Sequence, residues 1–157
     1  MQVFKSFATA TVDQMVALQQ IIYKPCPAFL GNFGISYYGD PYGRGNKIPE
    51  ELRPLSQKMA SLHPEQKFNA AFIQRYPCDA FVKPHKDPMT NIGYTLILVL
   101  GDFDGPVSQV QGYEDVVLQN GDMMSLECTI DGVQGPLHRV SPVTCGVRYA
   151  LILNTCV

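Results

Sequence analysis

The chain has 157 residues, with 12 Lys and Arg against 14 Asp and Glu, so its formal net charge at pH 7 is −2. This length suits one domain, and we treat 1–157 as a single unit. The charge excludes a generally basic nucleic-acid coat, so any contact with nucleic acid needs a local patch. The composition, 46% hydrophobic and 17% charged, excludes a disordered chain and a coiled coil.

The counts of glycine and proline indicate the fold class, and the cysteines indicate the redox state of the thiols. The 13 Gly and 12 Pro favour a turn-rich β protein over a helix bundle. The five Cys are odd in number and form no CxxC pair. With no signal peptide and no membrane-length apolar run, we expect reduced thiols, a cytoplasmic location and no membrane contact. We also expect a monomer.

The N-terminal part of the chain predicts two helices. The first begins at Thr11, which forms a capping box with Gln14, and ends before a proline-rich segment. The second begins at Ile48–Pro49, and Pro54 inside it predicts a kink or a later start. Between the helices, residues 25–48 are rich in Gly, Pro and aromatic residues, which indicates a loop.

From residue 67 onward the pattern predicts β structure. The predicted strands are short, and turn signals separate them every eight to twelve residues or so, which is typical of a sandwich, jelly roll or barrel. They are Phe68–Tyr76, Ile92–Leu100, Val107–Val110, Val116–Leu118, Met123–Ile130, His138–Val143 and Val147–Leu153. We therefore expect residues 1–66 to support a core formed by residues 67–157.

Two histidines and an aspartate form a candidate metal site. His85 and Asp87 are two residues apart, a spacing that points both side chains to one side of a strand. His138 follows after several predicted strands. Two His and one carboxylate on one face of a metal leave three positions open, as non-haem Fe(II) oxygenases require. The same donors also suit zinc with one open position, so a zinc hydrolase is an alternative.

An arginine in the last predicted strand suggests an anion site. Arg148 shares a strand face with Ala150, Ile152 and Asn154. If that face looks inward, the buried guanidinium needs a carboxylate, whose two oxygens match its planar fork. No acidic side chain is an obvious internal partner, so a dicarboxylate ligand is a candidate.

These residues belong to an ordered set of short motifs. The set is Tyr76-x8-His85-x-Asp87, Gly121-Asp122, His138-x-Val140 and Gly146-x-Arg148. In this order the motifs resemble the Fe(II)- and 2-oxoglutarate-dependent dioxygenase superfamily, over about residues 68–154. The resemblance implies a mainly β, α+β protein. Its core would be a double-stranded β-helix, the cupin-like jelly roll, with two supporting N-terminal helices.

The resemblance also implies roles for individual residues. The implied iron ligands are His85, Asp87 and His138, and the implied contacts to 2-oxoglutarate are Arg148, Tyr76, Gln74 and Asn154. Arg148 would bind the distal carboxylate of that cosubstrate. The implied reaction consumes O2 and 2-oxoglutarate, gives succinate and carbon dioxide, and hydroxylates or oxidatively demethylates a substrate, with ascorbate as a candidate reductant.

Within the superfamily, residues 72–76 and the aromatic segment before Ile48 resemble the AlkB-like nucleic-acid demethylases. The resemblance implies a substrate lid made of Tyr37, Tyr38, Tyr42 and Arg44. Such a lid stacks a base and meets phosphate, which favours a nucleobase in single-stranded or flipped-base nucleic acid. The chain departs from that pattern where Asn154 replaces a second arginine and Met89 replaces a second acidic residue.

Other substrates fit parts of the sequence. Thr95–Phe103 together with the His138–Arg148 segment also resembles the TET and base-J-type group of pyrimidine hydroxylases. The spacing of ten residues from His138 to Arg148 is typical of prolyl-hydroxylase-like enzymes, and the negative net charge favours that peptide substrate. A cupin-like metal-binding protein without turnover is a further alternative.

Overall fold

The computed structural model describes residues 1–39 and 47–157, and within these ranges the chain is mainly β. It has two α-helices, α1 (Val12–Gln20) and α2 (Arg53–Ala60), and a 3₁₀ turn at Glu50–Leu52. The strands are β1 (Gln2–Phe4), β2 (Lys24–Pro25), β3 (Gly34–Tyr38), β4 (Ala70–Tyr76), β5 (Val82–His85), β6 (Asn91–Leu100), β7 (Phe103–Asp104), β8 (Ser108–Val110), β9 (Met123–Glu127), β10 (His138–Val140), β11 (Cys145–Gly146) and β12 (Arg148–Cys156). The predicted fold class is confirmed.

Two antiparallel sheets form the β core. The larger has seven strands in the order β1-β9-β6-β12-β4-β3-β2, and the smaller has three in the order β5-β10-β8. Strands β7 and β11 pair separately. Both helices pack on one face of the larger sheet, and residues of the smaller sheet pack against its other face. This arrangement is the jelly roll, with its interior between the two sheets.

Strand β12 shows how the larger sheet is covered on both faces, because its first eight residues are all buried. Successive side chains of a strand alternate between faces. Tyr149, Leu151 and Leu153 pack in the cluster that contains both helices. Ala150 and Ile152 pack in the cluster that reaches the smaller sheet. The interior face therefore carries Arg148, Ala150, Ile152 and Asn154.

The helices begin where local chemistry allows. Thr11 accepts a hydrogen bond from the backbone of Gln14, whose side chain accepts one from the backbone of Thr11, so the predicted capping box of α1 is confirmed. For α2, the start at Ile48–Pro49 is wrong and the alternative of a later start is confirmed, since α2 begins at Arg53 after the 3₁₀ turn. Pro54 explains the later start, because a proline fits the first turn of a helix but not its interior.

In the described ranges no helix is both long and apolar enough to cross a bilayer.

The strand prediction missed elements that depend on distant partners. Residues 25–48, predicted as loop, contain β3, which pairs along its whole length with β4. The short strands β1, β2, β7 and β11 were also missed. The predicted strand at Val116–Leu118 is wrong, since Val116 forms only an isolated bridge to Ser108. Pairing across the sheet, and not the local pattern, decides these segments.

A buried carboxylate ties the N-terminal strand to the turn before β9. Asp122 accepts hydrogen bonds from the backbone N–H of Ser6 at 2.9 Å and of Gln119 at 2.8 Å. It also accepts one from the Lys5 ammonium at 3.0 Å. Burial raises the pKa of Asp122, but these hydrogen bonds lower it by more than burial raises it. The net pKa therefore lies below its ordinary value.

We expect Asp122→Ala to lower the free energy of unfolding by about 3 kcal/mol, because two backbone N–H groups lose a charged acceptor. Denaturant unfolding at neutral pH measures this, and Asp104→Ala, at an exposed position, is the control that should stay within about 0.5 kcal/mol. The stabilisation is present above the unfolded-state pKa and declines below about pH 4. Equal unfolding midpoints for Asp122→Ala and the unmodified chain would contradict this assignment.

Candidate metal centre and active site

His85, Asp87 and His138 converge between the two sheets. His85 ends β5 and His138 begins β10, and the antiparallel register places these two residues opposite each other. Asp87 lies beyond the end of β5, so the expectation that it shares a strand with His85 is wrong. The turn after β5 nevertheless returns its carboxylate to both imidazoles, and the ligand atoms of the three residues lie within 4.8 Å of one another.

Backbone carbonyls set the orientation of both imidazoles. Nδ1 of His85 lies 2.9 Å from the carbonyl oxygen of Lys83, and Nδ1 of His138 lies 2.9 Å from that of Pro136. Because a carbonyl oxygen only accepts, each Nδ1 carries the hydrogen, which leaves Nε2 free to bind a metal. The two Nε2 atoms lie 3.6 and 3.5 Å from Oδ1 of Asp87.

The electrostatics keep Asp87 ionised. Burial raises the pKa of Asp87, but the facing imidazoles of His138 and His85 outweigh it, and the net pKa lies well below the ordinary value. Burial lowers the pKa of His85, but the facing Asp87 carboxylate and the bond to the Lys83 carbonyl outweigh it, and the net pKa is raised. A carboxylate and two imidazole nitrogens on one side of a cavity are the donor set that suits Fe(II).

Two residues that the sequence patterns missed hold Asp87 in place. Nε2 of Gln134 donates to the backbone oxygen of Asp87 at 2.8 Å. Sγ of Cys128 lies 3.4 Å from Oδ2 of Asp87. Burial raises the pKa of Cys128 to about 12, so its thiol is protonated at neutral pH. Neither residue belongs to a motif, and only the folded geometry reveals them.

Arg148 is a buried cation that lacks a full set of partners. It is 2% exposed, and its Nη1 atom has no hydrogen-bond partner. Its guanidinium carbon lies 4.8 Å from the centre of the Tyr76 ring. Leaving a buried charged donor unpaired costs several kcal/mol, of the order of 3–5 in proteins. The position therefore fits an anion, and a carboxylate supplies the acceptor oxygens that Nη1 lacks.

Tyr76 and Gln74 lie beside Arg148 across the β4–β12 pair. Tyr76 is opposite Arg148 in the register, and Gln74 is opposite Ala150. The Tyr76 hydroxyl donates to Oε1 of Gln74. Burial raises the pKa of Tyr76 to about 12, so the phenol remains a hydrogen-bond donor at neutral pH. The structure thus brings together three of the residues expected to contact the cosubstrate.

Asn154, the fourth of these residues, lies farther along the same interior face. It is 4% exposed, and its Oδ1 atom has no partner. Asn154, Arg148 and the three metal-ligand candidates line one cavity of about 420 Å³. Two unpaired buried polar atoms facing one cavity indicate a ligand with polar groups.

The predicted lid residues are placed differently from one another. Tyr37 is 61% exposed, lines the cavity and packs its ring 5.9 Å from that of Phe72. Tyr38 is buried in the cluster that contains both helices, so it is a core residue in a strand and not part of a loop, and it also borders the cavity. Tyr42 and Arg44 lie outside the described residues.

Phe29, which was not among the predicted site residues, also lines the cavity and is 75% exposed. It lies in the segment that was predicted to be a loop. An exposed aromatic ring on each of two segments, one at Phe29 and one at Tyr37, gives the cavity mouth two apolar surfaces.

Solved structures share this fold, although no protein-family model and no curated protein matches the chain. A 2OG-Fe(II) oxygenase family oxidoreductase from Burkholderia pseudomallei is 16% identical, with a TM-score of 0.65 over 91% of this chain and 78% of that one. A prolyl hydroxylase from Trichoplax adhaerens, in complex with a hypoxia inducible factor peptide fragment, is 13% identical, with a TM-score of 0.73 over 99% and 82%. OsALKBH1 is 13% identical, with a TM-score of 0.69 over 98% and 97%. The chain therefore has the double-stranded β-helix fold that 2OG-Fe(II) oxygenases share.

Proposed function

We propose that the protein is an Fe(II)- and 2-oxoglutarate-dependent oxygenase that hydroxylates or oxidatively demethylates its substrate. One observation carries the proposal: a facial set of metal ligands and a buried, incompletely paired arginine line the same cavity. Taken singly, the three ligands would also suit zinc, and the arginine would also suit a structural ion pair. Only a metal-bound ligand that also carries a remote anionic group uses both.

Different residues would bind the metal and the cosubstrate. His85, Asp87 and His138 would hold Fe(II), and Arg148 would pair with the distal carboxylate of 2-oxoglutarate. Bound together, iron and 2-oxoglutarate would supply the activation of O2, with succinate and carbon dioxide as products. When the cosubstrate binds, the Tyr76 hydroxyl would turn its single hydrogen from Gln74 to the cosubstrate and fix its orientation. We treat residues 1–157 as one catalytic domain acting as a monomer.

We favour a nucleobase in single-stranded nucleic acid as the substrate because of the residues at the cavity mouth. The exposed rings of Phe29 and Tyr37 are platforms on which a base can stack. Two exposed cations, Lys86 and Arg139, also line the cavity, and Asp87 is the one carboxylate among its described lining residues. Aromatic rings and cations around one cavity suit a flat base attached to phosphate.

We expect single-stranded DNA to bind with an affinity that falls as salt rises, with a slope of about −0.7 per neutralised phosphate. The double variant Lys86→Ala/Arg139→Ala should bind more weakly and flatten that slope, because it removes two cations from the mouth. Fluorescence anisotropy of a labelled oligonucleotide at two salt concentrations measures both. Arg53→Ala, on α2, is the matched control that should bind normally. Binding that is absent or insensitive to salt would contradict a nucleic-acid substrate.

A peptide is the second candidate substrate. The chain has the fold of the Trichoplax prolyl hydroxylase bound to a peptide fragment as well as that of OsALKBH1. Substrate-stimulated formation of succinate separates the two candidates. With Fe(II), ascorbate and 2-oxoglutarate present, methylated oligonucleotides should raise the rate and proline-containing peptides should not. The reverse result would assign a peptidyl hydroxylase, and metal binding without succinate would assign a non-catalytic protein.

A further inference from the structure

A short chain of hydrogen bonds ends at Oδ2 of Asp87, the carboxylate oxygen that is not paired with the imidazoles. Cys128, the residue after β9, is 3% exposed, and its Sγ lies 3.4 Å from Oδ2 of Asp87. Sγ also lies 2.8 Å from Oγ1 of Thr95, which is 4% exposed in β6. The backbone N–H of Cys128 donates to the carbonyl of Gly93 at 2.7 Å, which holds the thiol in place.

The direction of these hydrogen bonds follows from the chemistry of the groups. An ionised carboxylate only accepts hydrogen bonds, so the thiol hydrogen of Cys128 is directed at Asp87. A thiol has a single hydrogen, so in the second contact the sulfur accepts and the Thr95 hydroxyl donates. The chain therefore runs from Thr95 to Cys128 to Asp87. A thiolate at this position would bury a second negative charge against the carboxylate.

The two carboxylate oxygens of Asp87 have different partners. Oδ2 is engaged by Cys128, whereas Oδ1 lies 3.5 Å from Nε2 of His138 and 3.6 Å from Nε2 of His85. Gln134 restrains the backbone of the same residue through its carbonyl oxygen. The carboxylate is thus held with one oxygen paired with the imidazoles and the other bonded to Cys128.

We infer that Cys128 and Thr95 are positioning residues that hold Asp87 so that Oδ1 alone binds the metal. The inference rests on the metal site of the proposed function. Keeping Oδ2 off the metal preserves open positions for a chelating cosubstrate and for O2, which a bidentate aspartate would reduce. Partners that orient a metal ligand in this way contribute about 10- to 100-fold to metal affinity.

Calorimetric titration of the metal-free full chain with Co(II) tests the inference without requiring turnover. Cys128→Ala should bind Co(II) about 10- to 100-fold more weakly than the unmodified chain. Cys128→Ser should restore most of the affinity, because a hydroxyl also donates to Oδ2. Thr95→Val should weaken binding by about 2- to 10-fold, the equivalent of one hydrogen bond. The matched control is Cys26→Ala, which removes another buried thiol and should leave Co(II) affinity unchanged.

The visible absorption of bound Co(II) reports the coordination geometry, which a purely structural role of Cys128 would not change. We expect a changed spectrum in Cys128→Ala and a normal one in Cys128→Ser. Unchanged affinity and spectrum in Cys128→Ala would overturn the inference while leaving the metal site intact. If Cys128→Ala does not fold, Thr95→Val carries the same test. Failure of the unmodified chain to bind Co(II) would overturn the metal site and the inference together.

Discussion

His138→Ala is expected to reduce Fe(II)-dependent succinate formation by more than about 100-fold. The reason is that the variant removes a metal ligand itself, and losing only an outer partner of a ligand already costs about 10- to 100-fold in metal sites of this kind. The same loss is expected for Asp87→Ala, which also leaves two imidazoles facing each other without their shared carboxylate. Succinate release in the presence of excess 2-oxoglutarate measures the effect.

The control for this prediction is the remaining histidine of the chain, His63. Its ring stacks on that of Tyr94 in β6, with ring centres 4.3 Å apart, and it hydrogen-bonds to Ser125 in β9. It therefore packs against the larger sheet and is not one of the candidate metal ligands. His63→Gln should retain Fe(II)-dependent activity, with at most a loss of thermal stability. Retention of activity in His138→Ala, with a normal folded state, would remove this residue from the metal site.

Arg148→Met is expected to raise the concentration of 2-oxoglutarate needed for half-maximal activity by about 10- to 150-fold. This is the range that corresponds to losing a hydrogen bond of about 1.5–3 kcal/mol to a charged group. The metal-free variant should meanwhile be as stable as the unmodified chain or more stable, because an apolar side chain replaces a buried cation with an unpaired Nη1. If Arg148 only stabilised the fold, Arg148→Met would lower the stability and leave the 2-oxoglutarate requirement unchanged.

The control for Arg148 lies in the neighbouring strand. Arg75 pairs with Tyr149 in the register, and because side chains alternate along β4 it faces away from Tyr76 and the cavity. Arg75→Met should leave the 2-oxoglutarate requirement unchanged. If Arg148→Met also leaves that requirement unchanged, the cosubstrate is anchored elsewhere.

The features of the fold that follow from local chemistry were predictable. The capping box at Thr11 and Gln14 satisfies backbone groups within one turn, so no distant partner is needed to foresee it. The continuous apolar run of β6 indicates burial on both faces, because successive side chains point to alternate faces of the sheet. The mainly β architecture depends on many such segments, and the structure confirms it.

The features that depend on pairing between distant segments were not predictable. Strand β3 was predicted to be a loop because its Gly and aromatic residues show no clear alternation of polar and apolar side chains. Its hydrogen bonds to β4 decide its structure. For the same reason Tyr38, expected in a lid, is a buried strand residue. Cys128 carries no motif, and only the turn after β5 brings Asp87 within 3.4 Å of its sulfur.

Under the proposed function, the triad and Arg148 form one oxygenase site. Succinate formation by the full chain supplied with Fe(II), ascorbate, O2 and 2-oxoglutarate, followed with and without oligonucleotide, tests this directly. We expect succinate that disappears when Fe(II) is omitted and rises with the correct substrate. Folded protein that binds the metal yet forms no succinate with either oligonucleotide or peptide would contradict an oxygenase function.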